Sequence, residues 1–185
     1  MKFLNLLIII NISLFSTVKA DLNEKLIDKL KEGEKLIFIR HAYAPGSGDP
    51  NNFNLNDCST QRNLSKEGKK QAQYIGEFFI KNKIEIDEVL SSEWCRCKET
   101  AKIAFKDFST NNFLNSFYSS KYAKNKDKQV DALKNFIKNF KSNKNLVFVT
   151  HYVLISEVLN YNSSSGEIVV SDKNLNIIGS IEINY

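Results

Sequence analysis

Histidine, proline and cysteine are scarce in this chain, which has two, two and three of them among 185 residues. Both prolines, Pro45 and Pro50, lie in one short segment, which can therefore continue neither as a helix nor as a central strand. No acidic cluster has the spacing of metal ligands, so we predict no metal and no other cofactor. Internal repeats and low-complexity tracts are also absent, and the length is typical of a single domain.

Long apolar runs are absent after residue 20. The first twenty residues, MKFLNLLIIINISLFSTVKA, place Lys2 before an apolar stretch and end in the small-x-small pattern of Val18 to Ala20. This arrangement predicts a signal peptide at 1–20 and one domain at 21–185, with a periplasmic or secreted location. The alternative is an uncleaved anchor, but the stretch is shorter than the roughly 20 residues that span a bilayer. We therefore expect no stable membrane insertion after cleavage.

Charge of one sign is not in large excess. Without the predicted signal peptide, which contributes two lysines, the chain keeps 24 basic and 21 acidic residues and a net charge of +3. Its lysines alternate with asparagine and aspartate, as in KYAKNKDK and KNFKSNKN, and form no basic stripe with interleaved aromatic residues. This pattern is typical of a solvated surface and predicts no nucleic-acid partner.

The three cysteines, Cys58, Cys95 and Cys97, would meet an oxidising environment if the chain is exported. Cys95 and Cys97 flank Arg96 and would point to different sides of a helix or strand, so a bond between them is disfavoured. Cys58 could pair with either one, and both pairings stay open. Zinc binding is disfavoured because the CRC triplet lacks the usual spacing of zinc ligands.

Short runs of Ile, Val and Phe alternate with segments of helical periodicity. This alternation predicts an α/β fold, a three-layer α/β/α sandwich with a mainly parallel central sheet. Residues 106–126, rich in Asn, Ser and Lys, are predicted to form an irregular insertion. Strands are predicted at 35–40, 86–92 and 145–150, with a final hairpin or sheet edge formed by 166–171 and 176–183. A first helix is predicted in DLNEKLIDKLKEG, with an apolar face from Leu22 to Leu30 and a stop at Gly33, and further helices are predicted at 65–82, 94–105, 127–140 and 152–159.

The two histidines close similar strand-like runs. LIFIRHAYAPGSGDP carries His41 just after Arg40, and NLVFVTH ends in His151. Apolar runs of this kind are typical of buried parallel strands, and sites in open α/β sheets lie beyond the carboxyl ends of such strands. Each histidine alone could be a structural residue hydrogen-bonded to a loop. As a pair, they are predicted to meet at one crevice.

A third segment points to the same crevice. In SSEWCRCKETA, Arg96 falls in the first turn of a helix that directly follows a strand. Helix N-termini attract anions and arginine binds phosphate oxygens bidentately, so this segment is predicted to cradle a phosphate. The alternative is a surface ion pair of Arg96 with Glu93 or Glu99.

Together these motifs resemble those of the histidine phosphatase superfamily, and the likeness covers nearly all of the chain after residue 20. The matching elements are Arg40-His41, the pattern Ser-x-x-x-Arg-x-x-x-Thr-Ala around Arg96, and the strand that ends in His151. NLSKEGKKQA resembles the family's Leu-Thr-x-x-Gly-x-x-Gln-Ala element, while Ala42 stands where the family has glycine. APGSGDP and the later DCSTQRNLS are similar to a long loop of exported bacterial members. The resemblance implies a phosphoglycerate mutase-like fold.

The resemblance also implies roles for these residues. His41 would be the nucleophile that forms a phosphohistidine, with His151 as the second catalytic histidine. Arg40, Arg96 and His151 would bind the phosphate and neutralise its charge in the transition state. We therefore expect an exported phosphatase that hydrolyses a phosphomonoester, a related phosphorylated small molecule or an envelope sugar phosphate.

A general acid for the leaving oxygen is missing from the family's usual places. Tyr152 stands where acid phosphatases have aspartate, and FLNSFY has no carboxylate where mutases have glutamate. Asp49, Asp57 and Glu93 could substitute, although each could instead cap a helix or form an ion pair. Without an acid, leaving groups that need little protonation are favoured, such as phosphohistidine, acyl phosphate or phosphoanhydride.

Gln61, Arg62 and Asn63 lie just before the serine that is predicted to cap the second helix. They could contact the substrate beyond its phosphate, or they could stabilise their own loop.

Two other functions fit the same motifs. One is a catalytically silent module that binds phosphate or a phosphoglycan, because Ala42 and the missing acid depart from the family pattern. The other is a phosphomutase, which transfers the phosphoryl group to a sugar acid instead of water.

Overall fold

The computed structural model describes residues 22–184, which fold around a six-stranded sheet with helices on both faces. The predicted signal peptide at 1–20 lies outside the described residues and stays a prediction. Within 22–184, no helix combines the length and the apolar character needed to cross a membrane. The strands are β1 Leu36–Arg40, β2 Ile86–Ser91, β3 Ser109–Thr110, β4 Asn145–Thr150, β5 Ile168–Ser171 and β6 Ile177–Ile181.

The helices begin and end close to the predicted positions. Ser65 caps the second helix, since its hydroxyl accepts from the backbone N–H of Gly68 at 3.1 Å. The ends of the predicted elements that the structure contains differ from the observed ones by no more than two residues. The helices are α1 at 22–31, α2 Lys66–Lys81, α3 Cys95–Phe105, α4 Ser120–Ala123, α5 Lys126–Asn139 and α6 Tyr152–Leu159.

The strand order in the sheet is β3-β2-β4-β1-β5-β6. β3, β2, β4 and β1 pair in parallel, whereas β5 pairs antiparallel with both β1 and β6. The predicted mainly parallel sheet and the C-terminal hairpin at its edge are therefore confirmed. β1 and β4 lie in the middle and are buried on both faces, which explains their unbroken apolar runs.

Successive residues of the central strands face opposite sides of the sheet, so each strand contributes to two cores. Ile37 packs on one face with apolar residues of α1, α2 and α3. Its neighbour Phe38 packs on the other face with Phe148 and with apolar residues of α5 and α6. The ring centroids of Phe38 and Phe148 are 4.9 Å apart. Helices thus cover both faces, which confirms the three-layer sandwich.

Residues 106–126 are more ordered than predicted. They contain β3, a 3-10 helix at Asn112–Leu114 and all of α4, and irregular stretches of the kind predicted for this region connect these elements. β3 extends the sheet beyond β2 by pairing with Leu90 and Ser91. A strand of two exposed residues carries no periodic pattern, and only its tertiary pairing makes it a strand.

Candidate active site

The two histidines lie side by side at the carboxyl end of the sheet. β1 and β4 are parallel neighbours, and their register places Arg40 opposite Thr150. The residues that follow, His41 and His151, therefore emerge together, and their ring centroids are 5.5 Å apart. The backbone N–H of His41 donates to the carbonyl of Thr150 at 2.9 Å and fixes this alignment. The two imidazoles thus meet at one crevice, as the sequence indicated.

Arg96 lies at the same crevice, at the start of the helix that follows β2. α3 begins shortly after β2 ends, so Arg96 occupies its first turn, where it is only 3% exposed. Its Nε donates to Nε2 of His41 at 3.2 Å, and its Nη2 lies 3.4 Å from Nδ1 of His151. One edge of the guanidinium therefore faces both imidazoles, and this edge has the two parallel N–H groups that bind a phosphate bidentately.

These side chains line a cleft of about 320 Å³, a volume in the range of small-molecule sites. One wall is the loop after β1, which holds both prolines, and a second wall comes from residues 116–122. For this second wall the sequence carries one signal, the resemblance that places residues 113–118 where mutases have a glutamate. Arg40, His41, Arg96 and His151 all contribute to the lining.

His41 is a neutral imidazole with a defined tautomer. Its Nδ1 lies 2.8 Å from the carbonyl oxygen of Ala42, which can only accept, so Nδ1 carries the proton. Nε2 therefore holds the lone pair that accepts from Arg96. Burial, and next the positive charge of Arg96, keep the pKa of His41 well below its ordinary value of 6.5. At neutral pH, Nε2 can act as a nucleophile.

His151 has the opposite tautomer. Its Nδ1 faces Nη2 of Arg96, so the proton lies on Nε2, which donates to the hydroxyl of Ser92 at 2.9 Å. That hydroxyl donates to Oδ1 of Asn115 at 3.0 Å, and the backbone N–H of Glu93 fixes the same oxygen as an acceptor. Burial and the charge of Arg96 also keep the pKa of His151 well below 6.5. This chain of hydrogen bonds holds the second imidazole neutral and oriented.

Both histidines make the protein less stable in mild acid. Each is neutral in the folded protein but protonates in the unfolded chain near the ordinary pKa of about 6.5. Below that pH the unfolded state binds more protons than the folded state. The free energy of unfolding therefore decreases as the pH is lowered, by up to about 1.4 kcal/mol per pH unit for each histidine. Urea denaturation between about pH 7.5 and pH 5.5 measures this slope.

A control for this slope is His151→Gln, which removes one of the two titrating imidazoles. Because the sequence has no third histidine, the variant is expected to lose about half of the slope. A slope that the substitution leaves unchanged would assign the effect to carboxylates instead.

The spacing in the Ser-x-x-x-Arg-x-x-x-Thr-Ala pattern is explained by Thr100, one turn after Arg96. Its hydroxyl donates to the carbonyl of Arg96 at 2.7 Å and accepts from the backbone N–H of Ala42 at 3.0 Å. Thr100 thereby ties the chain after β1 to the first turns of α3. Ala42 is fully buried, and this site accepts a methyl group where the family has glycine.

Asp49, in the loop after β1, forms an ion pair with Arg96. Its Oδ1 accepts from Nη1 of Arg96 at 2.7 Å and from the backbone N–H of Arg62 at 3.1 Å. Its Oδ2 accepts from the indole N–H of Trp94 at 3.0 Å and from Nη2 of Arg96 at 3.3 Å. Because Asp49 holds the Nη1 and Nη2 edge, the edge formed by Nε and Nη2 is turned toward the two histidines.

The surface ion pair considered for Arg96 is wrong. Arg96 is buried against Asp49, whereas Glu99 pairs with Lys69 at 2.8 Å. Glu93 is not a partner of Arg96 either, since its carboxylate accepts from the side-chain amide of Asn115. The loop after β1 crosses the start of α3 and brings its carboxylate there, a contact between segments 47 residues apart.

The three candidate general acids are all engaged in other interactions. A proton on either oxygen of Asp49 would displace one of the four donors just described. Glu93 does not line the cleft, because its side chain is bound to Asn115. Asp57 also lies outside the lining, where it caps a 3-10 helix at Cys58–Thr60. Among the described residues that line the cleft, Asp49 is the only carboxylate.

The three loop residues differ in position. Gln61 and Asn63 do not line the cleft, and their side-chain amides donate to carbonyls of their own loop. Arg62 does line it, but its guanidinium donates to the carbonyls of Gly48 and Ala44. For Gln61 and Asn63 the structure therefore favours loop stabilisation over substrate contact.

A disulfide bond joins Cys58 to Cys95 and selects one of the two pairings left open by the sequence. It ties the loop after β1 to the first residue of α3, next to Arg96. Gln61 strengthens this link, since its side-chain oxygen accepts from the backbone N–H of Cys95 at 3.0 Å. Cys97 is free and buried, and burial raises the pKa of its thiol to about 12, so it is inert as a nucleophile.

Arg40 completes the cationic side of the cleft. Its Nη1 donates to the carbonyl of Ser163 at 2.8 Å, while its Nε is buried without a hydrogen-bond partner among the described residues. Within 22–184, no group of three or more histidine, cysteine, aspartate or glutamate side chains could hold a metal ion. The cationic side chains that line the cleft are those of Arg40, Arg62 and Arg96, with Lys121 at the wall formed by 116–122.

Comparison with known families gives one match. Residues 36–114 match the family model of the histidine phosphatase superfamily, branch 1, from the start of β1 through the 3-10 helix at Asn112–Leu114. No curated protein matches this chain significantly.

Several solved structures share the fold. TTHB049 from Thermus thermophilus is 14% identical with a TM-score of 0.58, over 80% of this chain and 98% of that one. The putative phosphohistidine phosphatase SixA from Agrobacterium tumefaciens is 16% identical with a TM-score of 0.56, over 80% and 98%. The protein histidine phosphatase SixA complexed with tungstate is 13% identical with a TM-score of 0.52, over 80% and 96%. The shared fold confirms the phosphoglycerate mutase-like architecture and, with the family match, supports the histidine phosphatase superfamily.

Proposed function

We propose that this protein is an exported phosphatase that hydrolyses a phosphomonoester or a related phosphorylated small molecule, such as an envelope sugar phosphate, through a phosphohistidine at His41. The observation that carries the proposal is the neutral His41, whose Nε2 lone pair points at the phosphate-binding edge of Arg96. A site that only binds phosphate needs the cation but not a nucleophile of fixed tautomer beside it. The family match supports a phosphorylated substrate.

In the first step, Nε2 of His41 attacks phosphorus and the bond from phosphorus to the leaving oxygen breaks. Arg40 and the edge of Arg96 formed by Nε and Nη2 would hold the oxygens on which negative charge develops. The imidazole becomes positively charged as it bonds to phosphorus. The carbonyl of Ala42, which accepts from Nδ1, stabilises that charge.

In the second step, water attacks phosphorus and the bond to Nε2 breaks, which releases inorganic phosphate and restores neutral His41. His151 would help to hold the phosphoryl oxygens during both steps. Its orientation depends on Ser92 and, through it, on Asn115. Splitting the hydrolysis into two displacements replaces one difficult step with two easier ones.

Export is supported by two features. The predicted signal peptide at 1–20 would direct the chain out of the cytoplasm. The disulfide between Cys58 and Cys95 would persist in an oxidising compartment, which fits a periplasmic or secreted location. Mass spectrometry of the protein recovered from its producing cells tests this location, because a retained N-terminus would contradict it.

The proposed activity is tested by incubating the purified protein with an aryl phosphate and measuring released phosphate. Vanadate, which adopts the five-coordinate geometry of a phosphoryl group in transfer, is expected to inhibit release strongly. A phosphorylated enzyme that is stable in base and labile in acid is expected after rapid quenching, as for a bond between phosphorus and nitrogen.

Two further measurements on the purified protein distinguish the proposed phosphatase from the other two functions. Binding of inorganic phosphate by calorimetry with no phosphate released from any compound would indicate a silent module. Phosphate that appears on an added sugar acid rather than in solution would indicate a phosphomutase. Either result would overturn the proposal.

A further inference from the structure

The mouth of the cleft carries two exposed aromatic rings. Among the described residues, seven large hydrophobic side chains are exposed, and of these only Tyr118 and Tyr152 line the cleft. They are 56% and 38% exposed, and their ring centroids are 6.3 Å apart. Aromatic rings prefer contact with other rings to contact with water, so an exposed pair at a binding cleft offers a surface for a planar ligand.

The two rings continue directly from the phosphate end of the cleft. Tyr152 follows His151 in the chain, and the guanidinium of Arg40 lies over its ring, 5.5 Å from the centroid. Phe53 and Trp94 also line the cleft, but they stack on each other with ring centroids 5.1 Å apart, so these two faces are already in contact. A group attached to a phosphate at His41 therefore finds exposed aromatic surface at Tyr118 and at the part of Tyr152 that Arg40 does not cover.

The hydrogen bonds of Asp49 limit which leaving groups the site can release, because they leave the described part of the cleft lining without a carboxylic acid that could protonate one. Asp49 is the only carboxylate among the described lining residues, and its oxygens accept four hydrogen bonds. An alkoxide is about as basic as hydroxide and leaves slowly without a proton donor. A phenolate, whose conjugate acid has a pKa of about 10, leaves without one.

We propose that the substrate is an aryl phosphate, the phosphate ester of an aromatic alcohol, whose ring stacks against Tyr118 and Tyr152. This inference rests on the proposed phosphatase function and narrows the substrate class of the same site, because it favours aryl phosphates over sugar phosphates whose leaving group is an alkoxide. Nε2 of His41 bonds to phosphorus, the bond from phosphorus to the aryl oxygen breaks, and the phenolate takes a proton from water. A second water then releases inorganic phosphate from His41.

The wild-type protein is tested on three classes of substrate. Phenyl phosphate has the ring and a good leaving group, acetyl phosphate has a good leaving group without a ring, and glycerol phosphate has neither. The expected kcat/KM is highest for phenyl phosphate and lowest for glycerol phosphate. A glycerol phosphate activity equal to that for phenyl phosphate would overturn the inference.

Substitutions then separate ring recognition from leaving-group chemistry. Tyr118→Ala and Tyr152→Ala are each expected to lower kcat/KM for phenyl phosphate about tenfold, mainly through KM, because ring contacts of this kind have such an effect. Activity on acetyl phosphate is expected to stay within about twofold for Tyr118→Ala. Tyr152→Ala also removes the ring over which Arg40 lies, so only Tyr118→Ala tests whether the effect is specific to a substrate with a ring. Tyr118→Phe and Tyr152→Phe keep the rings and are expected to retain activity. Tyr74→Ala, on α2 and outside the cleft lining, is the matched control and is expected to change neither activity.

The outcomes also separate this inference from the proposed function. In Tyr118→Ala, equal losses on phenyl phosphate and acetyl phosphate, or no loss on either, would overturn the role of the rings while the phosphatase function stands. Absence of turnover on every compound, or turnover that does not depend on His41, would overturn the proposed function itself.

Discussion

His41→Ala is expected to lower kcat/KM for an aryl phosphate by about 10⁴-fold or more, because removing a covalent nucleophile abolishes both displacement steps. Arg40, Arg96 and His151 stay in place in this variant, so phosphate binding is expected to remain. The measurement is phosphate release together with vanadate or phosphate affinity by calorimetry. Lost turnover with retained binding assigns the chemistry to His41 rather than to the cationic site.

The control is His41→Asn, which fills much of the same space and can donate to the carbonyl of Ala42 but cannot form a phosphohistidine. It is expected to be as inactive as His41→Ala. Circular dichroism and urea unfolding of both variants check that the fold is intact. If either variant keeps more than about a tenth of the wild-type activity, a different group attacks phosphorus and the mechanism is wrong.

The meeting of the two histidines could be predicted because it depends only on strand order and register. Each histidine ends an apolar strand, and strands β1 and β4 are parallel neighbours whose last residues, Arg40 and Thr150, are directly paired. The position of Arg96 could be predicted in the same way, because it lies in the first turn of a helix that directly follows a strand. Features of this kind follow from short-range patterns, since a parallel sheet gathers the residues after its strands at one edge.

The orientation of Arg96 could not be predicted, because it depends on a loop of irregular structure. Asp49 reaches Arg96 through a segment whose path is set by Arg62, Gln61 and the disulfide rather than by periodicity. The sequence indicated that the aspartate could form an ion pair, but not with which cation. The pairing matters because it decides which edge of the guanidinium faces the imidazoles.

The wall formed by residues 116–122 was also beyond prediction. Its sequence, SFYSSKY, is rich in Ser and Tyr and matches neither a helix nor a strand pattern, and its position depends on tertiary contacts. Asn115, just before it, aligns His151 through the hydroxyl of Ser92. Tyr118 and Tyr152 come from different segments and meet only in the folded chain. The proposed contact of the substrate with Tyr118 thus depends on a part of the sequence that has no periodic pattern.

The disulfide between Cys58 and Cys95 is expected to have the largest effect on stability. It joins residues with a sequence separation of 37, so its removal by Cys58→Ser with Cys95→Ser is expected to lower the free energy of unfolding by about 4 kcal/mol. Urea denaturation of the variant measures this change, and wild-type protein treated with a reductant should behave in the same way. Cys97→Ala is the matched control, because it removes the buried free thiol and leaves the disulfide in place, at a cost of about 1 kcal/mol.

The double substitution Cys58→Ser with Cys95→Ser is also expected to lower catalytic activity. The disulfide anchors the loop after β1, which brings Asp49 to the guanidinium of Arg96 and Gln61 to the start of α3. With this anchor removed, the edge of Arg96 that faces the histidines is held less firmly, and kcat/KM for an aryl phosphate should fall about tenfold or more at a temperature where the variant is still folded. A variant that loses stability but keeps full activity would show that the disulfide serves the fold alone and that the loop positions Asp49 without it.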